Sequence, residues 1–147
     1  MAAYSSNPHR NAILTEAHRW IGTPFHHQAS TFGAGTDCLG LIRGIWRALY
    51  GTEPEIVPPY APDWAEATGR ETLLEAAQRN LIEIAPTEAR PGDVLLFRLK
   101  PNAPARHCAI LSRNGQMIHA WSGYTVAEVP FDPSWQRRLS HAFRFPE

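Results

Sequence analysis

At 147 residues the chain suits one domain, long enough to bury roughly two thirds of the surface its unfolded form exposes. Its 14 Lys+Arg balance 14 Asp+Glu, so no overall charge draws it to nucleic acid or an anionic membrane. No run approaches the ~18 apolar residues of a membrane span, and two cysteines are too few for a disulfide framework.

The start, MAAYSSNPHRNAIL, has no basic stretch followed by an apolar one, which predicts synthesis in the cytoplasm without a signal peptide. Asn7-Pro8 is a cap residue followed by proline at the first helical position, and Ile13, Leu14, Ala17, Trp20 and Ile21 recur at helical spacing until Gly22 and Pro24 stop the pattern. A loop of small and polar residues, 23–36, leads to a second helix with Cys38, Leu41, Ile42, Ile45, Trp46 and Leu49 in one stripe, ended by Gly51 and Pro54. Residues 52–69 carry four prolines and read as an ordered surface excursion. A third helix over 70–80 buries Leu73, Leu74, Ala77 and Leu81.

From there the period falls to two. Strands are expected at 81–84, 94–99, 107–112, 117–121, 124–129 and 139–145, separated by Pro, Gly and Asn signals. Helices first and strands after give an α+β class, with N-terminal helices packed on an antiparallel sheet in a single domain over 1–147.

The run Thr36-Asp37-Cys38-Leu39-Gly40 puts a thiol just inside a helix behind a capping Asp37. Unpaired N–H groups and the positive end of the helix dipole favour its thiolate. Of seven histidines, the strands on either side of Arg113-Asn114-Gly115 select two. A two-residue loop would pair His119 with Ile110 and set the sheet between the two imidazoles. A three-residue loop, with Gly115 left-handed in a bulge, faces Ser112 with Gln116 and His119 with Ala109, which brings His107 and His119 onto one face. That register also places Cys108, Ile110, Ile118 and Ala120 together on the other face, so Cys108 reads as a small buried hydrophobe. With Cys38 packed against the histidine face and apart from Cys108, the three form a nucleophile, a base (His107) and an orienting group (His119), a triad that needs no cofactor and no metal.

GTPF at 22–25, TDCLGL at 36–41, RPGDVLLF at 90–97, RHCAIL at 106–111 and MIHAW at 117–121 resemble the successive motifs of the NlpC/P60 cysteine peptidases. The run DCLGLIRGIWRALYG is similar to the short members carried by phage and gene-transfer-agent tails. The resemblance implies a papain-like fold and hydrolysis of peptidoglycan stem peptides at the bond between D-glutamate and diaminopimelate, with Cys38, His107 and His119 catalytic. It implies tail, baseplate or hub proteins as partners, and a particle-borne enzyme acting in the periplasm of the target cell. One position departs: many members carry a tyrosine, its hydroxyl near the nucleophile, where this chain has Phe25, which cannot make that hydrogen bond; His26 and His27 next door are able to supply one. His26, His27, Phe25 and Trp121 are the candidate substrate contacts.

Three other readings stay open. Cys38, His107 and His119 match three ligands of a zinc site, although no C-x-x-C or H-E-x-x-H spacing accompanies them. The domain could be a structural tail-tip or hub component with a vestigial site. It could also be an amidase or acyltransferase on a substrate outside the wall, since fold and triad leave the acyl donor open.

Overall fold

Asn7 begins the first helix as its sequence suggests: its side chain accepts from the N–H groups of His9 and Arg10, and α1 runs over Pro8–Arg19. The computed structural model describes residues 7–60 and 69–147, so the tail of the proline-rich excursion, with Pro62, lies outside the described residues. Ile21 falls beyond the helix end and is exposed, not part of the buried stripe. The loop at 23–36 folds into a small hairpin, β1 (Ser30–Thr31) with β2 (Gly35–Thr36), which the sequence pattern does not announce. Helix α2 spans Cys38–Tyr50 between its Asp37 cap and Gly51, whose φ of 89° suits glycine. It buries Leu41, Ile42 and Ile45, each worth roughly 1.5–3 kcal/mol. Helix α3 covers Thr72–Asn80.

The strands are β3 (Ile82–Ile84), β4 (Val94–Phe97), β5 (His107–Leu111), β6 (Gln116–His119), β7 (Ala127–Pro130) and β8 (Leu139–Arg144). They form one antiparallel sheet in the order β3-β8-β4-β5-β6-β7, so the last strand inserts between β3 and β4. The architecture is α+β. One sheet face, with Val94, Leu96, Cys108, Ile110, Ile118 and Phe143, packs under α1, α2 and α3. The other face carries Leu95, Phe97, Ala109, Met117 and Ala142 beneath Phe131 and Trp135. Trp135 belongs to a short helix, α4 (Pro133–Arg138), capped by Asp132. Six residues are too few to display a helical period, which is why this segment reads as a loop in the sequence.

The hairpin between β5 and β6 has the three-residue loop: Ile110 faces Ile118 and Leu111 faces Met117, so the pairing continues to Ala109 and His119. Both Asn114 (φ 60°) and Gly115 (φ 71°) are left-handed. The Gln116 N–H donates to the Arg113 carbonyl while the Ser112 N–H donates to that of Gln116. Arg113 is therefore the extra residue and Asn114-Gly115 the turn. Deleting Arg113 should preserve the register, because a two-residue Asn-Gly turn then closes Ser112 on Gln116 directly. The variant is expected to melt within a few degrees of the parent; loss of the His107–His119 contact by NMR would contradict this account of the turn.

Candidate active site

Asp37 and Cys38 stand where β2 passes into α2. Asp37 is extended and buried, and its carboxylate Oδ1 accepts the Gly40 N–H at 2.7 Å. Gly40 is required by close approach: a Cβ there would lie 2.0 Å from the Ala29 carbonyl oxygen and 2.5 Å from Thr36 Oγ1. With the Gly40 N–H taken by the cap, those of Cys38 and Leu39 are the first-turn donors that the helix itself cannot satisfy.

His107 opens β5 and His119 closes β6, so both lie at one end of the sheet. Their rings meet directly, His107 Nε2 to His119 Nδ1 at 2.9 Å. Burial, and secondarily the neighbouring His107, push His119 down to about 4. It is therefore neutral near neutrality, and with His107 Nε2 engaged by His119, His107 Nδ1 is the ring nitrogen left for the thiol. Aromatic rings fix the His107 plane: Trp121 edge-on at 4.9 Å, Trp135 at 5.4 Å and Phe97 at 5.8 Å between centroids.

Cys38 is partly accessible. Its thiol is held well below the ordinary cysteine range by a hydrogen bond from the Cys108 thiol and by the His107 imidazole, against the opposing effect of burial. Cys108 moves the other way, raised by its bond to Cys38 and by burial. This corrects the expectation that Cys38 packs on the histidine face away from Cys108. Helix α2 lies on the Cys108 face, and a helix cannot cover both sides of a sheet. Its first turn sits at the sheet end, where the thiol meets Cys108 on one face and His107 at the start of the same strand. Cys108 is buried in the core as expected, and it also touches the nucleophile.

These features coincide with a family. Residues 22–144 match the NlpC/P60 family. The chain belongs to it. Gamma-DL-glutamyl hydrolase of Bacillus subtilis (strain 168) is 27% identical over 135 residues, which are 90% of this chain and 29% of that protein. The chain thus spans under a third of that relative. Among solved structures, the NlpC/p60 domain of the peptidoglycan hydrolase SagA superposes with a TM-score of 0.62 at 23% identity, covering 92% of this chain and 98% of that domain. RipD of Mycobacterium tuberculosis, described as a non-catalytic NlpC/p60 domain protein adapted to peptidoglycan binding, gives 0.59 at 17% identity over 94% of this chain and 98% of that one.

Within this NlpC/P60 domain the structure brings together Cys38, His107 and His119. Trp121 forms a wall of the histidine pair. Phe25 is half-buried against the helical core, its N–H bonded to the Tyr124 carbonyl. His26 and His27 are exposed, and His27 Nε2 bonds the Tyr60 carbonyl at 2.6 Å. The hydroxyl the structure places next to Asp37 is the phenol of Tyr60, which donates to Asp37 Oδ2. Tyr60 and Trp135 are the two site residues the sequence analysis misses. The Asp132-Pro133 pair was a readable cap signal for Trp135, whereas nothing local marked Tyr60. Among the described residues no group of three or more His, Cys, Asp or Glu is arranged to hold a metal, and the two histidines engage their facing nitrogens with each other.

His119 gives a pH prediction. Its folded value of about 4 lies below the ordinary 6.5, so the unfolded chain binds the proton first as pH falls. Stability contributed at pH 7 is lost between about 6.5 and 4, to an extent of roughly 2–3 kcal/mol by pH 4.5. Urea unfolding at both pH values should show that loss in the parent and a smaller one in His119→Gln; equal losses in the two proteins would contradict the assignment.

Proposed function

We propose that this chain is a cysteine peptidase cleaving peptidoglycan stem peptides at a γ-D-glutamyl bond, that to diaminopimelate. The observation that carries the reading is the low-lying thiol of Cys38 at a helix N-terminus, served by a buried His107–His119 pair. The fold alone would not suffice, since the RipD domain shares it and is described as non-catalytic. The substrate class is supported by the name of the Bacillus relative, a gamma-DL-glutamyl hydrolase, and by the SagA domain's description as a peptidoglycan hydrolase.

In this mechanism the Cys38 thiolate attacks the amide carbonyl, and the Cys38 and Leu39 N–H groups receive the developing oxyanion. His107, carrying the thiol proton, delivers it to the leaving amine as the C–N bond breaks. Water then adds to the thioester with His107 as base, and the carboxylate product departs with regeneration of the thiol. His119 holds His107 in the tautomer that presents Nδ1 to sulfur.

The run DCLGLIRGIWRALYG supports a finer reading, an enzyme mounted on a phage-like tail beside baseplate or hub proteins and acting in the periplasm of the target cell. Mass spectrometry of products from purified sacculi tests the chemistry: new N-terminal diaminopimelate amines are expected, whereas intact stem peptides, or release of another group, would overturn it. Detection in purified particles tests the location.

A further inference from the structure

Asp37 is a carboxylate in an awkward place, 4% exposed and adjacent in sequence to a thiol that works as an anion. Burial and the charge on Cys38 both raise it. Three donors from three segments oppose this. The Gly40 N–H of its own helix bonds Oδ1 at 2.7 Å, the Gln28 N–H of the preceding loop bonds Oδ2 at 2.8 Å, and the Tyr60 O–H reaches Oδ2 from the segment after α2.

Tyr60 is itself held at both ends. Its carbonyl accepts from His27 Nε2 and Gln28 Nε2, each at 2.6 Å, and its ring meets His27 edge-on at 5.0 Å. The segment that presents it is tied back to α2 by Glu53, which pairs with Arg43 at 2.6 Å and Arg47 at 3.0 Å, and by the Trp46 indole donating to the Thr52 carbonyl at 2.8 Å. Burial and the Asp37 charge push the phenol upward, so it stays a proton donor throughout the working range.

We propose that Tyr60 is a positioning residue for the nucleophile: its phenolic O–H fixes the Asp37 carboxylate, in ionised form, at the first turn of the helix that carries Cys38. The proposal rests on the reading of Cys38 as the nucleophile. Charge-assisted hydrogen bonds to a carboxylate are about twice as strong as neutral ones. Keeping Asp37 charged therefore keeps the Gly40 cap tight and the thiol in register with His107. Among the described residues, the charged and titratable groups facing Asp37 are Cys38 and Arg43 from α2, Tyr60 from the following segment and Cys108 from β5.

The sign of the test follows from this set. Without the phenol, Asp37 takes up a proton at higher pH, and the Cys38 thiolate then faces a less negative neighbour. The pH inflection of Cys38 alkylation by iodoacetamide, read by mass spectrometry, should move down in Tyr60→Phe by about half a unit or more. Asp37→Asn should move it at least as far, and adding Tyr60→Phe to Asp37→Asn should move it no further. On a muropeptide substrate Tyr60→Phe should lower kcat about tenfold with KM within about threefold of the parent. An unmoved inflection in Tyr60→Phe, an equal shift in the Asp37→Asn background, or a raised KM with kcat intact would each overturn the proposal. Should the parent leave muropeptides uncleaved, the substrate reading fails and the alkylation series still decides on Tyr60.

Discussion

Cys38→Ala is expected to abolish hydrolysis, with kcat down by at least about 10⁴-fold and the fold intact. The thiol is one partly accessible atom at a helix start, so its removal leaves no cavity in the packed layers, and the melting temperature should stay within a few degrees of the parent. His107→Ala should cost activity to a similar extent, because a thiol without its base also lacks the acid that expels the amine. The double variant should be no slower than either single one, since the two act as a unit. His119→Ala should lose less, on the order of 10²-fold, because it acts through the orientation of His107. Turnover retained by Cys38→Ala would end the cysteine mechanism, and additive losses in the double variant would mean that Cys38 and His107 do not share a proton.

Much of this site was legible because its determinants are local. The Asp37 cap and the apolar stripe after Cys38 specify where α2 begins, within one turn of chain. Asn114-Gly115 limits the hairpin to two registers, and the apolar alternation of Cys108, Ile110 and Ile118 selects the one that joins His107 to His119. What escaped depends on contacts distant in sequence. Periodicity shows that α2 has a buried stripe but not which face of the sheet receives it, so the meeting of Cys38 with Cys108 was missed. Tyr60 lies 23 residues from Asp37 in a segment without period. The insertion of β8 between β3 and β4 pairs Val94 with Phe143 across nearly fifty residues and leaves no mark in either strand. The same insertion brings Arg144 to Asp93, a residue the sequence presents only within the run RPGDVLLF.

Asp93 carries the largest stability prediction. It is 1% exposed just before β4, and two arginines converge on it: Arg10 from α1 at 3.0 Å and Arg144 from β8 at 3.1 Å. The Arg90 N–H adds a third segment at 2.8 Å, and Arg10 also donates to the Pro91 carbonyl at 2.9 Å. One carboxylate therefore fastens the first helix, the turn before β4 and the C-terminal strand. Replacing a buried ion pair whole can be neutral, but removing one partner strands the other charge, at a cost of about 3–5 kcal/mol. Arg10, with its side chain only 7% exposed, is the charge left stranded. Asp93→Asn should lower stability by that amount and the melting temperature by on the order of 10 °C. Adding Arg10→Met should recover part of the loss, because it withdraws the orphaned guanidinium from the interior. Asp93 precedes Val94, whereas His107 pairs with Phe97 at the far end of β4. The folded fraction of Asp93→Asn should accordingly keep the parent's Cys38 alkylation profile. A loss under about 1 kcal/mol, or a double variant no better than Asp93→Asn alone, would show that Asp93 does not tie these elements together.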